Sequence, residues 1–173
     1  MEEIKTVIEA LIFASDVPLS LDKIVDVIQT DDRGRIRGLI MELIGEYDSR
    51  QGGILLQEVA GGYQFRTRAD LASWVKRLKG GKPSAMTPAA METLAIVAYR
   101  QPIVKAEVDK IRGVDVGGSL KTLLERKLIR IIGRKDVPGR PMLYGTTKKF
   151  LEVFNLKDLS ELPTMQELTE LKE

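Results

Sequence analysis

The chain has 173 residues and a net charge of +2, and it contains neither cysteine nor histidine. These absences exclude disulfide bonds, thiol nucleophiles, Cys/His zinc sites and histidine general bases, so we expect no metal and no cofactor. No apolar run reaches the roughly 18 residues of a membrane span, and the first residues are acidic where a signal peptide would be basic, which predicts a cytoplasmic protein.

The first half of the chain is predicted to form three helices, a β-hairpin and a closing helix. Apolar residues at helical spacing and short apolar runs bounded by glycines predict these elements over residues 4–12, 20–28, 36–47, 54–59 and 63–66. Ser20 is predicted as the N-cap of the second helix. Thr67 and Asp70 predict a capping box for the closing helix, which we expect to bury Trp74.

The second half has the same order of elements. Thr87 followed by Pro88 predicts a helix start, and the apolar helix that follows is expected to be deeply buried. Two further helices, two strands and a last helix that begins after Thr147 are predicted over residues 103–111, 120–128, 128–132, 142–144 and 148–151. The polar loop between the two strands carries prolines, glycine and basic residues, as the turn of a hairpin does.

The two halves are an internal repeat. A shift of 84 residues aligns Pro18 with Pro102, and a shift of 79 aligns Phe65 with Tyr144. Three helices and a hairpin are the outline of a winged helix, a variant of the helix-turn-helix. We therefore predict a mainly α protein with small β-hairpins (α+β) made of two tandem winged-helix domains. The predicted domains are residues 1–79 and 87–155, with a linker at 80–86 and an acidic flexible tail at 156–173.

DNA binding is an alternative function because the charge is uneven. Residues 1–79 carry 11 basic and 13 acidic side chains (net −2), residues 80–150 carry 14 and 6 (net +8), and residues 151–173 carry 2 and 6 (net −4). The candidate DNA contacts in the basic section are Lys121, Arg126, Arg134, Lys135 and Arg140. Neither third helix begins with the Arg, Asn and Gln residues that read base edges, which favours weak, non-specific contact over a DNA-binding regulator.

An enzymatic function finds little support in the sequence. Ser20 and Lys23 have the Ser-x-x-Lys spacing of serine–lysine acylases, but the Lys-Thr-Gly partner motif is missing, and a helix N-cap explains Ser20. The adjacent acids Asp31 and Asp32 have no third ligand nearby and are interpreted as solvated charge. We expect a protein that is not an enzyme.

Two long stretches resemble the segregation and condensation protein B (ScpB) family. They are residues 87–103, TPAAMETLAIVAYRQPI, and residues 134–147, RKDVPGRPMLYGTT. Shorter resemblances are found at residues 111–114, 120–129, 8–14 (IEALIFA) and 61–65 (GGYQF). One departure is the pair Gly117 and Gly118, which weakens helix initiation, so we expect the third helix of the second half to begin late.

The resemblance implies a non-enzymatic subunit of the bacterial SMC–kleisin complex, with a role in chromosome condensation and segregation during cell division. It also implies two winged-helix domains, a homodimer, and binding to the kleisin ScpA, which bridges the ATPase heads of the SMC protein. The implied location is the cytoplasm, in association with the nucleoid.

Winged helices offer strand edges and helix grooves to a partner, which makes the second hairpin the candidate partner-binding surface. The candidate residues there are Pro141, Met142, Leu143 and Tyr144. Because alternate residues of a strand face opposite ways, packing of Leu143 or Tyr144 into the core is an equal alternative. For the homodimer, which the resemblance places in the N-terminal domain, Met41 and Leu56 are candidates because they lie off the main apolar stripes.

Overall fold

A computed structural model describes residues 2–80 and 85–164, which separate into two compact units. Among these residues, the first unit comprises 2–80 together with Asn155–Glu161, and the second comprises 85–154 together with 162–164. Most of the predicted linker lies outside the described residues, as does the second half of the predicted tail, residues 165–173. In the described part of that tail, residues 156–161 belong, together with Asn155, to the first unit.

The first unit has the order of elements that the sequence predicts. Its helices and strands are α1 (Glu2–Ala14), α2 (Leu21–Ile28), α3 (Arg33–Ser49), β1 (Ile54–Val59), β2 (Gly62–Thr67) and α4 (Ala72–Lys79). The strands pair antiparallel, with Leu56 opposite Phe65. The core forms where α1, α2, α3 and the hairpin meet, and its most deeply buried side chains are Ile8, Ile12, Ile24, Ile36, Ile40, Leu43 and Leu56.

Short polar contacts fix the helix starts of the first unit. The Lys23 N–H donates to Ser20 Oγ at 3.3 Å, which confirms the predicted N-cap of α2. The Arg35 N–H donates to Asp32 Oδ1 at 2.9 Å, so α3 begins at Arg33, three residues before the predicted stripe.

The closing helix of the first unit differs from its prediction. A 3₁₀ turn over Ala69–Leu71 precedes α4, and neither of these helices has a side-chain cap. The predicted capping box is therefore wrong, because the Asp70 carboxylate accepts from Arg68 Nε at 3.1 Å instead. Trp74 is 64% exposed rather than buried, and the Arg77 guanidinium lies 5.2 Å from its ring centroid.

The segment Asn155–Glu161 closes the first unit at the turn of its hairpin. The Ala60 N–H donates to the Leu156 carbonyl at 2.8 Å, and the Gly61 N–H donates to the Lys157 carbonyl at 3.0 Å. Lys157 Nζ also lies 3.1 Å from the Glu58 carboxylate. These contacts give otherwise unpaired turn amides a partner.

The second unit repeats this order and adds a third strand. Its helices and strands are α5 (Pro88–Arg100), β3 (Ile103–Val104), α6 (Lys105–Arg112), α7 (Gly117–Glu125), β4 (Ile129–Arg134), β5 (Met142–Thr146) and α8 (Lys148–Phe154). The antiparallel sheet has the order β3-β5-β4. Its largest fully buried side chains are Leu94, Val97, Val108, Leu123 and Ile129. Both units are winged helices, and the α+β class is confirmed.

Threonine caps begin the first and last helices of the second unit, as predicted. The Ala90 N–H donates to Thr87 Oγ1 at 3.2 Å, and the Phe150 N–H donates to Thr147 Oγ1 at 3.2 Å. Gln101 then ties the end of α5 to the sheet, because its Oε1 accepts from the Thr146 N–H at 2.7 Å. This contact positions the hairpin of β4 and β5 against α5.

Three predictions for the second unit are wrong. Ile103 and Val104 begin a strand, not a helix, because they pair with Tyr144 and Leu143 of β5. Helix α5 is not buried all round, since Met91 is 39% exposed. Helix α7 begins directly at Gly117 rather than late.

Candidate functional site

The hairpin of β4 and β5, which we call the second wing, carries an apolar surface. Ile131 is 48% exposed, Ile132 43% and Met142 39%. Strand β4 is an edge of the sheet, and among the described residues no strand lies on its outer side. The second wing therefore combines exposed apolar side chains with strand backbone that is open to a partner.

The structure separates the four residues predicted for this surface. Met142 is exposed and belongs to it, while Pro141 and Leu143 are half-buried. Tyr144 is 9% exposed and sits in the core, in the register position between Ile103 and Ile131, which corrects its assignment to a partner-facing surface. Sequence reasoning missed Ile131 and Ile132, although two adjacent isoleucines in a short edge strand were the available signal.

A groove on the first unit is the second candidate surface. It has a volume of about 280 Å³ and is lined by Thr6, Glu9, Ala10, Phe13, Tyr47, Ile54 and Phe65; we call it the Phe13 groove. Phe13 is 76% exposed, and its ring centroid lies 6.3 Å from that of Phe65. The Tyr47 hydroxyl donates to Glu9, and this hydrogen bond raises the pKa of Tyr47. An exposed phenylalanine beside two packed aromatic rings is a surface that another apolar side chain can cover.

The two predicted dimer residues have different environments. Leu56 is 1% exposed and belongs to the core of the first unit, so its assignment to a dimer interface is corrected. It is buried because alternate residues of β1 face the helices. Met41 is 54% exposed on α3 and is available to a partner. Phe13, which sequence reasoning missed, lies next to the buried Ile12 on α1.

Acidic neighbours partly offset the candidate DNA contacts. Lys135 Nζ lies 2.7 Å from the Glu107 carboxylate, and Lys121 Nζ lies 4.0 Å from that of Glu125. Arg134 Nη1 donates to the Arg140 carbonyl at 3.1 Å, which brings these two residues together at the tip of the second wing. Arg126 is the C-cap of α7. The side-chain contacts of Lys135, Lys121 and Arg134 use basic groups within the unit and do not favour a sequence-specific DNA site.

The turn between α6 and α7 is held by one carboxylate. Asp109 Oδ1 accepts from the Val116 N–H at 2.8 Å, and Asp109 Oδ2 accepts from Lys105 Nζ at 2.7 Å. The hydrogen bond from Lys105, followed by that from Val116, holds the pKa of Asp109 below its ordinary value of 3.8. The same carboxylate raises the pKa of Lys105. This contact joins α6 to Val116, the residue directly before α7, and α7 begins at Gly117 despite the paired glycines.

We expect Asp109 to make stability sensitive to acid. Because its pKa is lower in the folded state than in the unfolded chain, its contribution is present above pH 3.8 and is lost as the pH falls through the folded-state value. The variant Asp109→Asn retains an oxygen that can accept from the Val116 N–H but has no carboxylate to titrate. Its thermal unfolding midpoint should therefore fall less steeply than that of wild type as the pH is lowered below 3.8. Asp136→Asn, at an exposed position in the second wing, is the control. Equal acid slopes in wild type and Asp109→Asn would contradict this role.

The described part of the chain offers neither a metal site nor a membrane span. Its acidic side chains form no group of three that could hold a metal ion. Its helices are too short or too polar to cross a bilayer. The Ser20 hydroxyl caps α2, as expected if Ser20 is a helix N-cap rather than the nucleophile of an acylase.

Comparison with known proteins decides the family. Residues 6–165 match the profile of the family described as segregation and condensation complex subunit ScpB. A segregation and condensation protein B of Syntrophotalea carbinolica is 49% identical over 169 residues, which cover 98% of this chain and 85% of that protein. The chain belongs to the ScpB family. A second ScpB relative, from Myxococcus xanthus, is 46% identical, and the match covers 98% of this chain but 51% of that protein.

Solved ScpB structures also match this ScpB-family chain. The crystal structure of ScpB from Mycobacterium tuberculosis is 35% identical, with 90% of this chain and 96% of that chain covered and a TM-score of 0.43. A crystal structure of a dimer of ScpB N-terminal domain complexed with ScpA peptide is 31% identical. The match covers 44% of this chain and 95% of that chain, with a TM-score of 0.41. With TM-scores this low, the family assignment rests on the sequence matches.

Proposed function

We propose that this chain is a non-enzymatic subunit of a bacterial SMC–kleisin complex and binds the kleisin ScpA during chromosome condensation and segregation. The observation that carries the proposal is the near full-length similarity to segregation and condensation protein B, 49% identical over 98% of this chain. We propose that the protein is located in the cytoplasm, in association with the nucleoid.

The second wing is the surface that we assign to ScpA. Its edge strand β4 can accept a segment of the kleisin as an added strand, with main-chain hydrogen bonds for affinity. Ile131, Ile132 and Met142 then supply apolar contact on a surface that the unit itself leaves exposed. Recognition of this kind needs no catalytic group.

Calorimetric titration of the full chain with purified ScpA tests the proposed function. We expect saturable heat that persists at physiological salt, because apolar contact and strand pairing are screened little by ions. The proposal would be overturned if no heat of binding were seen at protein concentrations well above the dissociation constants that are usual for subunit association. Heat that disappears with added salt would also contradict it, since that behaviour belongs to surface charge pairing.

We propose that the homodimer forms through the Phe13 groove rather than at Met41. The groove places three aromatic rings together, with those of Tyr47 and Phe65 4.8 Å apart at their centroids. Phe13 beside them is 76% exposed. Met41 is exposed on α3 and is followed by the exposed acid Glu42, which makes it the weaker candidate.

Charge introduced at Phe13 is expected to separate the dimer. In Phe13→Glu, a carboxylate replaces the exposed ring, and burying it between two chains without a partner costs several kcal/mol. Light scattering on the full chain should show the mass of two copies for wild type and of one copy for the variant. Met41→Glu is the matched control, since it places the same charge on an exposed position of α3, and it should remain dimeric. A monomeric Met41→Glu with a dimeric Phe13→Glu would reverse the assignment.

A further inference from the structure

Helix α4 of the first unit carries exposed apolar side chains that the proposed function does not use. Trp74 is 64% exposed and Leu78 is 87% exposed. They are four residues apart, so they lie on the same side of the helix. Val75 between them is half-buried, and α4 has no fully buried residue. The chain's single tryptophan therefore lies at the surface of the first unit.

The charged residues of α4 are all basic. Lys76, Arg77 and Lys79 lie in its last turn, and all three are exposed. The Arg77 guanidinium lies over the Trp74 ring, 5.2 Å from the ring centroid. The nearest acid in the sequence, Asp70, pairs with Arg68 instead. We call the residues Trp74, Lys76, Arg77, Leu78 and Lys79 the Trp74 surface.

The charge of the Trp74 surface limits what can cover it. A second copy of α4 would bring three cations against three cations, and like charges repel. The partner must therefore be anionic. An exposed aromatic ring among basic side chains is the combination that binds single-stranded nucleic acid, because bases stack on the ring while phosphates pair with lysine and arginine. Bases inside a duplex are already stacked on one another and do not offer a free ring face.

We propose that the Trp74 surface binds single-stranded DNA, with a base stacked on Trp74 and phosphates paired with Lys76 and Lys79. Arg77 adds a third positive charge beside the indole. We choose DNA over RNA because the proposed function places the chain at the chromosome, so this choice rests on the proposed function. With three cations, the logarithm of the association constant should fall with the logarithm of the salt concentration with a slope of about −2.

Fluorescence titration of the full chain with the oligonucleotide dT15 tests this inference. Because Trp74 is the single tryptophan, its emission reports on this surface and not on the basic second unit. We expect saturable quenching, since a stacked base quenches the indole, and the salt slope given above. A duplex of 15 base pairs should bind at least tenfold more weakly by the same signal.

Two lysine variants show whether the quenching depends on the cations of α4. Lys79→Gln keeps the tryptophan but removes one cation, so dT15 should bind more weakly and the salt slope should become shallower by about 0.7. Lys110→Gln is the matched control, because it removes the same charge from an exposed position of α6 in the second unit. Its affinity and salt slope should equal those of wild type. Equal effects of the two variants would contradict a site on α4.

The remaining outcomes separate single-stranded DNA from other ligands. Unchanged Trp74 emission at high dT15 concentration, or equal binding of the duplex, would overturn the inference. A polyglutamate peptide that changes the emission with the affinity of dT15 would make an acidic protein segment the partner, and tighter binding of rU15 would make RNA the ligand. Either result also overturns it. Because the assay contains no ScpA, none of these failures would count against kleisin binding.

Discussion

Replacing Gly62 with alanine is expected to lower the free energy of unfolding of the first unit by about 2–3 kcal/mol. A Cβ at this position would lie 2.8 Å from the Pro18 carbonyl carbon and 2.9 Å from both the Pro18 oxygen and the Leu19 carbonyl carbon. All three are backbone atoms, so no side-chain rotation relieves the clash. The expected cost is large because Pro18 and Leu19 are held against the hairpin and cannot move away freely.

That attachment is a pair of backbone hydrogen bonds beside Gly62. The Leu19 N–H donates to the Tyr63 carbonyl and the Tyr63 N–H donates to the Leu19 carbonyl, each at 2.9 Å. An added methyl group must push the segment between α1 and α2 away and break them. The hairpin would then lose its contact with the helical core.

Urea unfolding followed by the fluorescence of Trp74, the chain's single tryptophan, reports on the first unit. Gly45→Ala is the matched control, because nothing lies within 4 Å of the Cβ it would add on α3. Alanine in a helix is expected to stabilise by about 0.5–1 kcal/mol, so the two substitutions should act in opposite directions. A Gly62→Ala midpoint at or above that of wild type would show that the close approach is not a constraint.

A charge on the second wing is expected to give the largest loss of ScpA binding. Ile131→Asp should weaken binding at least tenfold, about 1.4 kcal/mol or more, because docking would bury an unpaired carboxylate. Ile131 is 48% exposed in the free chain, so the substitution leaves the folded unit largely unaffected. Calorimetric titration with ScpA measures the change.

Val114→Asp is the matched control for the second wing. Val114 is 57% exposed in the turn after α6, away from β4 and β5 in the sequence. It should bind ScpA as the wild type does, and the thermal midpoints of both variants should stay close to that of wild type. Equal losses of affinity in the two variants would mean that the second wing is not the docking surface.

The elements that depend on neighbours in the sequence were predictable. The N-caps at Ser20, Thr87 and Thr147 join residues three apart and followed from residue type and spacing. The same spacing at Thr67 and Asp70 gave no cap, because the Asp70 carboxylate binds Arg68 instead. The internal repeat also indicated that both units have the same order of helices and strands. Strand β3 was not predictable in this way, because its two residues are strand only through their pairing with Tyr144 and Leu143.

The candidate surfaces were predicted less well than the fold. Met142 was found because it lies in a recognisable hairpin, but its exposure and the burial of Tyr144 depend on how that hairpin packs. Leu56 lies off the main apolar stripes of the sequence, but it is a core residue in the structure. The Phe13 groove combines residues from α1, α3, β1 and β2, so no single segment reveals it.

The mass of the assembly formed by the full chain and ScpA tests the central claim most directly. Light scattering on the co-purified proteins should show one species that contains ScpA and two copies of this chain. Phe13→Glu should reduce the copy number to one while ScpA stays bound, since the two surfaces lie on different units. Separate elution of the two proteins, each at its own mass, would contradict the claim that this chain is a kleisin-binding subunit.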